Sequence, residues 1–339
     1  MIAGAMVRGV DKCEFTHLSF LYPINLIAMK LKYLILSVMT GALAMYACSC
    51  SSLDGDNPDM PGKDSVQAGS GETDGYRLVW EDLFDDGSLD MTKWSIEVNG
   101  DGGGNNEMQY YRAENISVEN DASGNGCLVI TARRESYNGK YFTSGRLNTR
   151  DRYEFTHGKV EASIMLPSTA NGLWPAFWLL GANYDTDGWP RCGEIDILEM
   201  GHADGIRNGT QDRYFNGAAH WGYYKNGAYP NYARSTTSSY SLQDGNYHLY
   251  TLIWDESSLK MYLDLDKYPD ASPYYEMAIT DTSDDWGTGH YFHHDFFIIF
   301  NLAVGGNFPG IHNASQITAL PEDGDEARMY VNYVKVYQK

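Results

Sequence analysis

Apolar side chains recur at every second residue in five stretches of this chain: 128–133 (LVITAR), 159–165 (KVEASIM), 247–254 (YHLYTLIW), 259–265 (LKMYLDL) and 330–337 (YVNYVKVY). A period of two sends alternate side chains to opposite faces of a strand, so each stretch reads as a strand with one face in a core. Turn dipeptides separate them, including Asn138-Gly139, Asp187-Gly188, Asn226-Gly227 and Asp244-Gly245, which tolerate the positive φ of tight turns. No stretch holds a sustained helical period. Many short strands without intervening helices pack as two sheets, so the expected class is all-β: a two-sheet antiparallel jelly-roll sandwich. The 35 Gly, 26 Tyr and 8 Trp among 339 residues suit such a fold, and the length allows one large domain with a substantial core.

The first 75 residues lack that pattern. From Met29 the chain reads MKLKYLILSVMTGALAMYACSCSS, with Lys30 and Lys32 ahead of an apolar run at 33–46. That run is shorter than the ~20 residues a membrane-spanning helix needs, and small residues follow it, as in a signal peptide. Its end resembles a bacterial lipoprotein signal, which implies acylation of Cys48, with Cys50 as the alternative. Residues 1–48 are therefore expected to be a signal region, with translation starting at Met29. Residues 49–75, rich in Ser, Gly, Asp and Pro, are expected to form a tether, and 76–339 the folded domain. The implied location is the cell envelope of a bacterium, lipid-anchored at the outer membrane or cell surface, with plain secretion as the alternative.

Net charge bounds the partners. At −20 the chain lacks the cationic face that phosphate backbones require, so no nucleic-acid partner is expected. Contact with a membrane is expected only through the anchor, and a monomer is expected. Cys127 and Cys192 are the only cysteines of the domain, too few for a disulfide framework, and read as buried free thiols.

Chemistry concentrates in 189–200, WPRCGEIDILEM. Glu194 and Asp196, two apart, share a strand face. Glu199 is five from Glu194, an odd spacing that turns it into the core, where an unpaired carboxylate costs several kcal/mol. A β-bulge at Ile197-Leu198 adds one residue, reverses the parity and returns Glu199 to the acidic face. At strand rise the two Glu Cα atoms then lie roughly 12–13 Å apart, and two Glu side chains leaning together can approach the ~5–5.5 Å carboxyl separation of a retaining glycosidase. Asp196 between them can hydrogen-bond one Glu and shift its pKa. Trp174 and Trp178 share one face of the WPAFW segment, and Trp189 precedes the acidic strand; flat indole rings suit the apolar faces of sugars.

These segments, with LVWEDLFDDGSLD (78–90), GGNNEMQYY (103–111), TSGRLNT (143–149), GLWPAFWLLG (172–181) and NLAVGGNFPG (301–310), are similar to those of glycoside hydrolase family 16, in the laminarinase-like branch of β-jelly-roll endoglucanases. The resemblance covers about 76–338. It implies a retaining endo-β-glucanase acting on β-1,3- or mixed β-1,3/1,4-glucan, with Glu194 as nucleophile, Glu199 as acid and then base, and Asp196 as modulator. It also implies that Asn105, Arg146, Trp174, Trp178 and Trp189 line the sugar subsites and that His220 lies near the acid/base. The alternatives are a family-16 enzyme for an algal galactan such as agar, porphyran or carrageenan, and a carbohydrate-binding protein without catalysis. No cofactor is required. Some relatives hold a structural calcium through an acidic N-terminal segment and a C-terminal Asp; here those positions read DLFDD (82–86) and Asn332, an oxygen set with less charge.

Overall fold

The computed structural model describes residues 72, 73 and 75–339. The signal region, the tether and Cys48 lie outside the described residues.

Two sheets face each other. In the site sheet the order is Asn231–Thr237, Tyr214–His220, Glu194–Met200, Leu173–Gly181, Phe296–Val304, Arg146–Asn148 and Ser95–Ile96, with Glu154–Phe155 on the side of Phe296–Val304. In the outer sheet Glu326–Gln338 runs down the middle. Gly158–Met165 pairs along one side of it, and Gly126–Tyr137 and then Tyr76–Asp82 along the other. His248–Trp254, Ser258–Leu263 and Tyr275–Ala278 extend this sheet beyond Gly158–Met165. All pairings are antiparallel except the short one between Gln109–Tyr111 and Lys140–Ser144. This is the expected jelly-roll class. All five alternating stretches are strands, at 126–137, 158–165, 248–254, 258–263 and 326–338.

Alternation decides what each face buries. Along Leu173–Gly181 the side chains of Leu173, Phe177 and Leu179 enter the core between the sheets; along Phe296–Val304 so do Phe296, Ile298, Phe300, Leu302 and Val304. They meet Val160, Ala162, Ile164, Leu252, Trp254, Val334 and Val336 from the outer sheet. Burying a large aliphatic or aromatic side chain contributes about 1.5–3 kcal/mol, so this layer dominates the cohesion of the domain. Its two fully buried indoles are paired: Trp254 Nε1 donates to Phe292 O at 3.0 Å and Trp94 Nε1 to Asp82 Oδ2 at 2.7 Å. Asn138 and Gly139, at φ 46° and 83°, make the tight turn between Gly126–Tyr137 and Lys140–Ser144. Cys127 and Cys192 are buried free thiols.

The intervening residues of the site sheet point the other way. Trp174, Ala176, Trp178 and Leu180 lie directly opposite Ala303, Asn301, Ile299 and Phe297 of the neighbouring strand, on the face turned away from the main core. There Leu180, Phe297, Ile299 and Cys192 form a second apolar cluster beside Trp178.

Candidate active site

The acidic strand carries the bulge its parity requires. Against Leu173–Gly181, Asp196 pairs with Trp178 and Leu198 with Phe177, so Ile197 has no partner of its own. Against Tyr214–His220, Asp196 pairs with Ala218 and Glu199 with Asn216, so Ile197 and Leu198 together oppose Gly217. Ile195, Ile197, Leu198 and Met200 all enter the main core, which releases Glu194, Asp196 and Glu199 to the open face. Apolar burial thus holds the bulge in place, and the bulge sets the direction of Glu199.

Each Glu has its own donors. Glu199, 9% exposed, accepts from Trp174 Nε1 at 3.1 Å on Oε1 and from Asn216 Nδ2 at 2.8 Å on Oε2. Glu194 accepts from Trp189 Nε1 at 3.1 Å on Oε2, and His220 Nε2 stands 3.8 Å from its Oε1. Asp196, 5% exposed, does not hydrogen-bond either Glu; its Oδ2 is buried without a hydrogen-bond partner, 3.4 Å from His220 Nε2. The expected Asp–Glu hydrogen bond is replaced by an approach to the imidazole: Asp196 lies opposite the small Ala218, and His220, diagonal to it and opposite Glu194, fills that side.

Burial pushes all three carboxyls up, each to about 8, and Asp196 adds like-charge repulsion at both Glu positions. His220 works against the rise at Glu194 and Glu199, and the Asn216 and Trp174 hydrogen bonds do so at Glu199. Three buried acids on one strand resist ionising together, so the cluster holds at least one proton at neutral pH. One carboxylate and one carboxylic acid side by side is what general acid and nucleophilic chemistry need.

Both tryptophans of the WPAFW segment stand on the open face. Trp174 stacks on Phe308 with centroids 4.7 Å apart, and Trp178 donates to Asn301 Oδ1 at 2.8 Å beneath the Arg146 guanidinium, 4.8 Å from its ring centroid. Arg146 is paired with Glu97 at 3.0 Å, which leaves that part of the face close to neutral. Trp189, 38% exposed, lies among Tyr224, Tyr229 and His220. Asn105 turns its side chain back to Gly103 O at 3.3 Å, while its backbone O receives Asn307 N.

Sequence reasoning missed Asn216, Asn301, Glu97 and Tyr229. Parity from His220 points to Asn216, four residues earlier on the same strand, and the alternation of FNLAV turns Asn301 to the face of Trp178 between core residues. Nothing local signals Glu97 or Tyr229, which reach the site from loops and short strands.

The residues at the calcium position do not fit that ion. Asp82 Oδ1 accepts Phe84 N and lies 3.6 Å from the Lys93 ammonium, Oδ2 holds Trp94, and Asn332 turns its amide N–H to Gly126 O. A lysine supplies the positive charge there.

The sequence profile of "Glycosyl hydrolases family 16" matches residues 104–277. A beta-glucanase of Rhodothermus marinus is 34% identical over 78% of this chain and 85% of its own length. The clotting factor G alpha subunit of Tachypleus tridentatus is 36% identical over 78% of this chain, which spans only 34% of that protein. Among solved structures, the GH16 protein of the Bacteroides ovatus mixed linkage glucan PUL, in complex with G4G4G3G product, superposes with a TM-score of 0.66 at 38% identity, covering 76% of this chain and 99% of its own.

Proposed function

This chain belongs to glycosyl hydrolases family 16, and from that premise we propose that it is a retaining endo-β-glucanase cleaving β-1,3- or mixed β-1,3/1,4-glucan. The observation that carries the mechanism is the bulge, which sets Glu194, Asp196 and Glu199 on one recessed face with separate donors for the two Glu residues. Glu194 attacks the anomeric carbon as carboxylate while Glu199, protonated, gives its hydrogen to the leaving oxygen. The glycosyl ester on Glu194 is then opened by water, from which Glu199 takes a proton. Asp196, between the two, opposes full ionisation of the cluster.

The substrate reading rests on charge. The groups around the acids are indole, amide and imidazole donors, which match hydroxyls. Arg150 pairs with Asp185, Arg207 with Asp204, and Arg191 lies over Tyr223, so these cations do not gather on the acidic strand. A neutral glucan therefore suits the face better than a sulfated galactan. The test is a reducing-sugar assay on laminarin, barley β-glucan, agarose, porphyran and κ-carrageenan with the products sized. Cleavage of a galactan alone overturns the substrate and leaves the acids in place.

We propose in addition that Cys48 carries lipid and holds the enzyme at the bacterial envelope. Its motivation is the lysine-led apolar run at 30–46 ending in Ala47-Cys48. A palmitate analogue should label the wild type and not Cys48→Ala; labelling lost only in Cys50→Ala moves the site two residues on.

A further inference from the structure

His220 pairs directly opposite Glu194 across the two strands, and its ring nitrogens meet different chemistry. Nε2 faces the acids, 3.4 Å from Asp196 Oδ2 and 3.8 Å from Glu194 Oε1, while Nδ1 lies 3.1 Å from the hydroxyl of Tyr229. Tyr229 arrives from the chain that turns at Asn226-Gly227 between Tyr214–His220 and Asn231–Thr237, a segment outside the acidic motif. Its ring also packs edge-on against Trp189, with centroids 4.8 Å apart, and Trp189 is the hydrogen-bond donor to Glu194. One tyrosine thus touches both groups that flank Glu194.

We propose that Tyr229 is a positioning residue: its hydroxyl donates to Nδ1 and so fixes neutral His220 in the tautomer whose Nε2–H points at Asp196 and Glu194. A neutral imidazole donates at one nitrogen and accepts at the other, so the partner at Nδ1 decides what Nε2 offers. A protonated phenol is the required donor, and burial pushes the Tyr229 hydroxyl up to about 12. Asp196 Oδ2, buried without a hydrogen-bond partner, is the acceptor that gains from the arrangement. The other titratable groups acting on this centre are Glu199 on the acidic strand, Tyr224 beside Tyr229, Tyr275 near Asp196, Cys192 near Glu194, and Arg146, which favours the charged form of Glu194. In the proposed reaction, on which this inference rests, a donor at Nε2 favours ionised Asp196 and Glu194, the two acids it faces, while Glu199 is held chiefly by its own donors, Trp174 and Asn216.

The wild-type tautomer is read first, by 15N NMR of the histidine rings, with His220→Gln identifying the signal. The expected result is a non-protonated Nδ1 and a protonated Nε2 at pH values where the ring is neutral. In Tyr229→Phe the ring packing stays and the hydroxyl goes. The acidic limb of the kcat/KM profile is then expected to move up by about 0.5–1 pH unit, the worth of one hydrogen bond, with KM unchanged. Tyr229→Ala should raise KM as well, because Trp189 loses its support. A wild-type hydrogen on Nδ1, or a Tyr229→Phe profile superimposable on wild type, overturns the proposal. Failure of the glucanase reading would instead appear as wild-type protein inert on both glucans, with the NMR result unaffected.

Discussion

Replacing Asp196 with Asn should flatten the pH dependence of stability, and the size of the effect follows from burial. The Asp196 carboxyl is pushed up to about 8 by desolvation, against about 3.9 in an unfolded chain. Between those values the folded protein keeps a proton that the unfolded chain has released, so stability is greatest below about pH 4 and declines as pH rises through the window. Each retained proton costs about 1.4 kcal/mol per pH unit. Glu194 and Glu199 are raised partly by Asp196 and share its protons, so the three shifts do not add, and one retained proton is the floor. From pH 5 to pH 7 the wild type should therefore lose roughly 3 kcal/mol through this cluster. In a domain of this size that corresponds to about 6–10 °C in Tm. Asn keeps the shape and cannot ionise, and its presence also relieves both Glu residues. The assay is thermal melting of wild type and Asp196→Asn at half-unit steps. Other titrations occur in both proteins, so the difference between the two melting points isolates the cluster. That difference should shift in favour of the variant by several degrees between pH 5 and pH 7. Parallel curves would refute the reasoning, because they would mean the acids are as well solvated folded as unfolded.

Glu194→Gln and Glu199→Gln should each lower kcat on glucan by at least about 10²–10⁴-fold while the protein stays folded. With an activated aryl glucoside, azide should rescue Glu194→Ala to the inverted glycosyl azide and Glu199→Ala to the retained one, and exchanged anomers would reverse the two roles. Asn301→Ala should raise KM more than it lowers kcat, because it frees the Trp178 indole without touching the acids; an unchanged KM would place Trp178 outside the sugar path. Away from the site, burial would raise Asp264, but hydrogen bonds from His248, Leu249 N and Tyr240 outweigh it and hold the carboxyl at about 2. Its contribution of about 2–3 kcal/mol is present above about pH 4 and lost as pH falls through about 2, so Asp264→Asn should be less stable at neutral pH and converge with wild type in acid.

Strand parity made much of the site readable in advance. Glu194, Asp196 and Glu199 fall on one face only if an extra residue lies between them, and the four aliphatics of the acidic strand show where. The same rule places Trp174 and Trp178 together, and, applied to His220 and to FNLAV, would have placed Asn216 and Asn301. Other features escape it. Asn231–Thr237 is a strand whose side chains are nearly all exposed, so no hydrophobic alternation announces it; pairing with Tyr214–His220 makes it one. Tyr229 and Glu97 act at ranges set by loop paths, which no local period encodes. Asp196 facing His220 rather than a neighbouring Glu depends on cross-strand register, which follows from the bulge and the pairing of whole strands.

The central strand of the outer sheet has a consequence for how the chain must be made. Glu326–Gln338 follows each of its three partners, the nearest of which, Gly158–Met165, ends some 160 residues earlier. Until the ribosome has released it, Gly158–Met165 has no neighbour on one side, and Gly126–Tyr137 and Tyr76–Asp82 each lack one as well. The sheet edges of those three strands wait for Glu326–Gln338 to be made. Closure of the domain is therefore a late, long-range event rather than a progressive one, slow by its topology and exposed to aggregation while it waits. Such a chain emerges in a state that chaperones can hold open, and it commits to its shape only when the last strand slides into the gap left for it.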